Sequence, residues 1–90
     1  MWPMPLPDDL RASLDSATAD IANIGDRLGG MLSAGVFLRE FVPAGQAWVH
    51  IDVAGPAFND KGAYGYTPKG GTGAGVRTFV QIAAEMADPR

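Results

Sequence analysis

The sequence predicts an α/β protein built from three helices and one strand at residues 47–53. Apolar residues recur at helical spacing in three segments, each bounded by proline or glycine, whereas residues 47–53 alternate between apolar and other side chains. With 90 residues and no cysteine, the chain forms at most one small domain, without disulfides or thiolate metal sites.

The first helix is expected to run from Asp8 to about residue 15, because Asp8 and Asp9 can accept hydrogen bonds from the free N–H groups of a helix start. A second helix is expected at about 31–42, where a broad apolar surface ends before Pro43.

A third helix is expected at about 73–87, after a glycine-rich turn and ended by Pro89. Residues 55–70, before it, have turn and aromatic residues but no periodicity. Loops of that length are usually functional or disordered.

In the strand predicted at 47–53, one face carries β-branched residues and the other carries Trp48, His50 and Asp52. A single strand leaves two unpaired edges. Its sheet partners are therefore expected in another copy, in another chain, or in a portion outside this sequence.

His50 is the sole histidine, and its side chain and that of Asp52 share a strand face, about 6 to 7 Å apart. The pair could be a metal site, with Asp60 or Glu40 as a further ligand, or could orient a nucleophile. Catalytic zinc normally takes three protein ligands, and no Gly-x-Ser-x-Gly motif is present. The favoured interpretation is an interior histidine held by a carboxylate or a backbone carbonyl.

The stretch GGTGAG at 70–75 has the composition of turns that cradle phosphates with backbone N–H groups. Its third glycine comes one residue early for the dinucleotide fingerprint, and Val76 follows where the Walker pattern requires lysine. We therefore expect Thr72 to cap the last helix, while the glycines allow close packing.

The formal net charge of −3 provides no basic field for nucleic acid or anionic lipid, and Lys61, Lys69 and Arg77 are too few for a binding patch. Trp2 and Trp48 are expected in a core or an interface. No apolar run is long enough to span a bilayer, and a cytoplasmic location is expected.

Five segments resemble, in order and approximate spacing, the leucyl aminopeptidase (cytosol aminopeptidase) family: WPMPLPDDL, SATADIANIG, AGVFLREFV, WVHIDVAGPA and KGGTGAGVRTFV. The most specific parts are the Trp-x-His-x-Asp-x-Ala-Gly strand and the Thr-Gly-x-Gly-Val-Arg-Thr helix start. The resemblance implies that residues 1–90 are the C-terminal segment of a three-layer α/β/α catalytic domain, and thus an incomplete domain.

The family resemblance further implies a metal-dependent exopeptidase that removes N-terminal residues from peptides, usually as a hexamer. Two divalent ions, manganese or zinc, polarise the peptide carbonyl and activate a water. Several of the family's metal ligands lie in an Asn-Thr-Asp-Ala-Glu-Gly-Arg stretch, which does not occur in this sequence. We therefore expect this chain to bind no metal, to supply no catalytic residue and to be inactive without the remainder of the catalytic domain.

The resemblance implies a substrate-binding role for Ala54 and Ala57, which match family positions that line the pocket for the substrate's first side chain. The small Ala57 would leave room for a bulky apolar group such as leucine. His50 and Asp52 are expected to be structural. Two alternatives stay open: a small non-catalytic binding module that uses the 55–70 loop or the glycine-rich turn, and a regulatory subunit that docks on a full-length aminopeptidase.

Overall fold

The computed structural model describes residues 1–88, and the chain divides into two compact units, Met1–Ile51 and the residues from Asp52 onward. The elements follow in this order: a 3₁₀ helix Asp8–Leu14, helix α1 Gly30–Arg39, a 3₁₀ turn Gly55–Ala57, strand β1 Phe58–Asn59, strand β2 Gly70–Gly71 and helix α2 Val76–Ala87. The predicted α/β class is confirmed. No helix among the described residues is long and apolar enough to cross a membrane.

The predicted first helix is confirmed in extent, but it is a 3₁₀ helix. Asp15, directly after it, has an extended backbone with ψ 141°, which ends the helix. The helix packs against α1, and Leu14 is 1% exposed while Val36 of α1 is 0% exposed. These two apolar side chains form the centre of the first unit, because burial of apolar surface is the main force that holds such elements together.

Helix α1 confirms the second predicted helix, starting one residue earlier and ending at Arg39. The next three residues donate N–H hydrogen bonds of 3.0–3.2 Å to carbonyls three residues back, so the last turn tightens before Pro43, which cannot continue a helix. Arg39 also forms an ion pair of 3.0 Å with Asp8. That pair ties the end of α1 to the start of the 3₁₀ helix.

Residues 47–53 do not form the predicted strand within the described chain. A strand requires a ladder of hydrogen bonds, and no backbone–backbone hydrogen bond involves residues 47–53 among residues 1–88. The rings of Trp48 and His50 nevertheless stack, with centroids 6.3 Å apart and planes at 23°. An extended backbone gives residues i and i+2 this spacing, so Trp48 and His50 share one side of the chain as they would in a strand.

The loop expected at 55–70 contains an ordered hairpin. Strands β1 and β2 are antiparallel, with Phe58 opposite Gly71. Nearer the tip, Tyr64 and Thr67 exchange two backbone hydrogen bonds of 3.0 and 2.8 Å. Strands only two residues long have no room for alternation, which is why no period marked them in the sequence.

Helix α2 confirms the third predicted helix from Val76 onward. Gly75 precedes it with φ +88°, a left-handed conformation that glycine adopts without a Cβ clash. Thr72 is not the cap that was expected, because Gly75 occupies the N-cap position and no side chain caps the helix. Pro89, expected to end the helix, lies outside the described residues.

We expect the isolated chain to self-associate, because large apolar side chains are exposed in both units, among them Val49 at 68% and Val80 at 64%. Val49→Lys places a charge on the unpaired segment and should lower the weight-average mass measured by sedimentation across a concentration series. Ala63→Lys, on an exposed position of the hairpin, is the control and should change the mass much less. A compact monomer with a cooperative melt would contradict this expectation.

Candidate functional site

The two residues expected to line a substrate pocket, Ala54 and Ala57, lie at the two ends of the short 3₁₀ turn. The Ala57 N–H donates to the Ala54 carbonyl oxygen at 3.1 Å and closes the turn. Pro56, between them, has a fixed φ and no N–H, which suits a tight turn. All four residues from Ala54 to Ala57 are exposed. The structure therefore brings the two alanines together on one accessible turn.

Thr72, just after β2, fastens this turn. Its N–H donates to the Ala57 carbonyl oxygen at 3.0 Å, and its hydroxyl donates to the Pro56 carbonyl oxygen. The same hydroxyl accepts the N–H of Ala74 at 3.3 Å. Thr72 thus binds the carbonyls of two consecutive residues of the turn. The sequence had instead predicted that Thr72 caps the last helix.

Asn59 of β1 organises the loop beyond the turn. Its Nδ2 donates to the carbonyl oxygens of Gly62 and Pro68, both at 3.1 Å, and its Oδ1 accepts the N–H of Lys61 at 3.1 Å. Sequence reasoning missed this residue. The signal was the Asn-Asp-Lys-Gly stretch, since an asparagine at the start of a turn hydrogen-bonds the backbone two residues on.

The predicted interior His50 is only partly buried, and the expected carboxylate or carbonyl partner is not found among residues 1–88. Its Nε2 is buried with no hydrogen-bond partner. The ring lies against Gly35 of α1, where an added Cβ would be 3.7 Å from the His50 Cδ2. Within the described chain, packing against Gly35 and stacking on Trp48 hold this ring.

The carboxylates considered as metal ligands are not gathered at one place. Glu40 pairs with Arg11 at 3.4 Å. Asp52 and Asp60 are exposed, and neither has a hydrogen bond or ion pair to another described residue. Residues 1–88 contain no group of three or more His, Cys, Asp or Glu side chains that could hold an ion. The donor groups described here do not fit a two-metal centre.

The remaining candidates have local roles or none. The Arg77 guanidinium lies 4.5 Å from the centroid of the Tyr66 ring, a cation–π contact that joins the hairpin tip to the first turn of α2. Lys61 and Lys69 are exposed. Trp2, expected in a core or an interface, is 85% exposed and belongs to no core of the described chain.

Comparison with known proteins gives the family and the fold. The model of the cytosol aminopeptidase family, catalytic domain, matches residues 1–80. A probable cytosol aminopeptidase of Streptomyces griseus subsp. griseus is 64% identical over 86 residues, which cover 96% of this chain and 17% of that protein. One of Mycobacterium tuberculosis is 59% identical over 87 residues, covering 96% and 17%.

Two solved structures share the fold. The bottromycin maturation enzyme BotP in complex with Mn superimposes with a TM-score of 0.82 at 42% identity, covering 94% of this chain and 19% of that one. A second BotP structure gives a TM-score of 0.80 at 43% identity, covering 92% and 18%. The fold of this chain is therefore that of a segment of these larger α/β proteins.

The chain belongs to the cytosol aminopeptidase family. It spans about 17% of the length of the curated relatives that it matches. The resemblance inferred from the five sequence segments is confirmed.

Asn59→Ala removes the three hydrogen bonds that organise the 60–68 loop, and we expect tryptic cleavage after Lys61 to become about three- to tenfold faster. Asn59→Asp keeps the acceptor for the Lys61 N–H but loses both donors, so its rate should be intermediate. Asn23→Ala, at an exposed position without a side-chain hydrogen bond in the described chain, is the control. Equal cleavage rates in all variants would contradict this role.

Proposed function

We propose that this chain is the C-terminal segment of the catalytic domain of a metal-dependent aminopeptidase that removes N-terminal residues from peptides. We further propose that Ala54 and Ala57 line the pocket for the substrate's first side chain. The observation that supports this pocket role is the exposed turn between the two alanines, which is fastened by backbone hydrogen bonds of Ala57 and by the Thr72 hydroxyl on the Pro56 carbonyl.

The chemistry of the turn suits an apolar side chain. It presents two methyl groups and a pyrrolidine ring, with no charged or amide side chain between Ala54 and Ala57. Apolar walls with few polar groups are typical of ligand pockets. The small side chain of Ala57 leaves space that a leucine side chain can fill, so we propose that large apolar N-terminal residues are preferred.

The metal ions are proposed to be held elsewhere. When bound, two divalent ions would polarise the peptide carbonyl and activate a water, and the Mn in a BotP structure supports manganese, with zinc as the alternative. The dispersed carboxylates described above supply no cluster for them. The contribution that we assign to this chain is therefore substrate selection.

The isolated segment is proposed to be inactive and to require the remainder of the catalytic domain as its partner. Residues 47–53 lack backbone partners, and α2 has no buried residue among those described. Both features support a neighbour that covers them. For the complete enzyme we propose a cytoplasmic homohexamer.

Hydrolysis of a leucine anilide tests the proposed function. The isolated chain with added manganese or zinc should give no turnover. A chimera in which this chain replaces the matching segment of the Streptomyces griseus relative should hydrolyse the anilide and should lose activity with a chelator. Chelator-sensitive turnover by the isolated chain, with His50, Asp52 and Asp60 as the first suspects, would contradict the proposal, as would an assembled but inactive chimera.

Ala57→Met in the same chimera tests the pocket wall. The longer side chain should occupy the space proposed for leucine and lower the ratio of kcat/KM for leucine anilide over alanine anilide by about tenfold or more, since a single methylene group in an apolar pocket is worth about tenfold at least. Ala63→Met, at an exposed hairpin position, should leave the ratio unchanged. An equal loss on both substrates would show that Ala57 does not line the pocket.

A further inference from the structure

The Gly55–Ala57 turn cannot be held in place by its own side chains. Gly55 has none, Ala57 has a methyl group, and no residue of the turn is buried. A pocket wall must nevertheless keep its position to within a fraction of an ångström to discriminate between side chains. The anchor of this turn is therefore its backbone, and the groups that bind that backbone determine how firmly it is held.

Thr72 supplies two of these groups, its backbone N–H and its hydroxyl, and they differ in which residue types could provide them. The hydrogen bond from the Thr72 N–H to the Ala57 carbonyl at 3.0 Å is available to any residue other than proline. The bond from the hydroxyl to the Pro56 carbonyl requires serine or threonine. Pro56 donates no N–H, so its carbonyl is its sole backbone group for a hydrogen bond.

The orientation of the Thr72 hydroxyl is itself restricted. It accepts the Ala74 N–H at 3.3 Å, and Gly73, with φ +70°, lets the chain turn back so that this N–H reaches it. A hydroxyl that accepts from one side directs its proton to the other. The β-branched side chain also restricts χ1 more than serine would. The Pro56 carbonyl therefore faces an oriented donor.

We propose that Thr72 is a positioning residue for substrate selection: its hydroxyl fixes the Pro56 carbonyl and, through it, the position of Ala57 in the pocket wall. This inference depends on the proposed function of the turn. Thr72 touches neither the substrate nor a reacting group. Its loss should therefore weaken recognition of a long first side chain and leave unchanged the reaction of a substrate whose first residue has no side chain.

The experiment compares Thr72→Val, Thr72→Ser and Thr67→Val in the chimera with the Streptomyces griseus relative. Thr72→Val keeps the side-chain shape and the backbone bond but removes the hydroxyl. It should lower the ratio of kcat/KM for leucine anilide over glycine anilide by about three- to tenfold, chiefly through KM for the leucine substrate. Thr72→Ser should restore most of the ratio. Thr67→Val is the control, because the Thr67 side chain makes no hydrogen bond among the described residues.

A general loss of folded enzyme lowers both rates equally and leaves this ratio unchanged, so an unchanged ratio for Thr72→Val would overturn the proposal. Hydrogen exchange of the peptides covering 55–59 and 70–74 provides a readout independent of turnover. Thr72→Val should speed exchange there, whereas Thr67→Val should not, and equal exchange would overturn the anchoring role. An assembled chimera that is inactive with unsubstituted Thr72 would instead overturn the proposed function, and the role in selection with it.

Discussion

The need of backbone N–H and C=O groups that are removed from water for a hydrogen-bond partner is the constraint on which the rest of this structure depends. In residues 55–74 it is met locally: Thr72 binds two carbonyls of the short turn, and Asn59 binds the carbonyls of Gly62 and Pro68. In residues 47–53 no backbone partner exists within the described chain. The hairpin therefore pairs backbone groups within its own sequence, whereas the adjoining segment leaves such groups open to the neighbouring strand proposed for it.

The helices could be predicted because their signals are local. Pro43 limits α1 and Gly75, with its left-handed backbone, starts α2. The alternation at 47–53 correctly placed Trp48 and His50 on the same side of the chain, where their rings stack. It could not supply the partner strand, because strand pairing joins residues that are distant in sequence. The 3₁₀ form of Asp8–Leu14 was equally beyond local reasoning, since the segment is fixed where it meets α1.

Local sequence reasoning has the same limit for single side chains of the candidate site. Ala54 and Ala57 were proposed through family resemblance, since neither residue carries a signal of its own. The Thr72 hydroxyl does accept a backbone N–H, as a cap would, but from Ala74. Its second partner, the Pro56 carbonyl, lies sixteen residues earlier in the chain. Nothing in the spacing of these residues indicates that contact, so local reasoning assigned the hydroxyl to the nearest helix.

The pocket role proposed for the turn accounts for the hydroxyl that binds it. A wall that accepts a large side chain must be made of small residues, and small residues bury too little surface to hold themselves in place. Hydrogen bonds to the backbone of the turn can keep it in place and leave the space beside its small side chains free. Residues 70–75 suit this task, because Gly70 and Gly73 adopt left-handed backbone conformations and the bend at Gly73 brings the Ala74 N–H to the Thr72 hydroxyl. The same glycine-rich stretch that fails as a phosphate-binding motif thus has a structural role: it brings the Thr72 hydroxyl to the Pro56 carbonyl of the apolar turn.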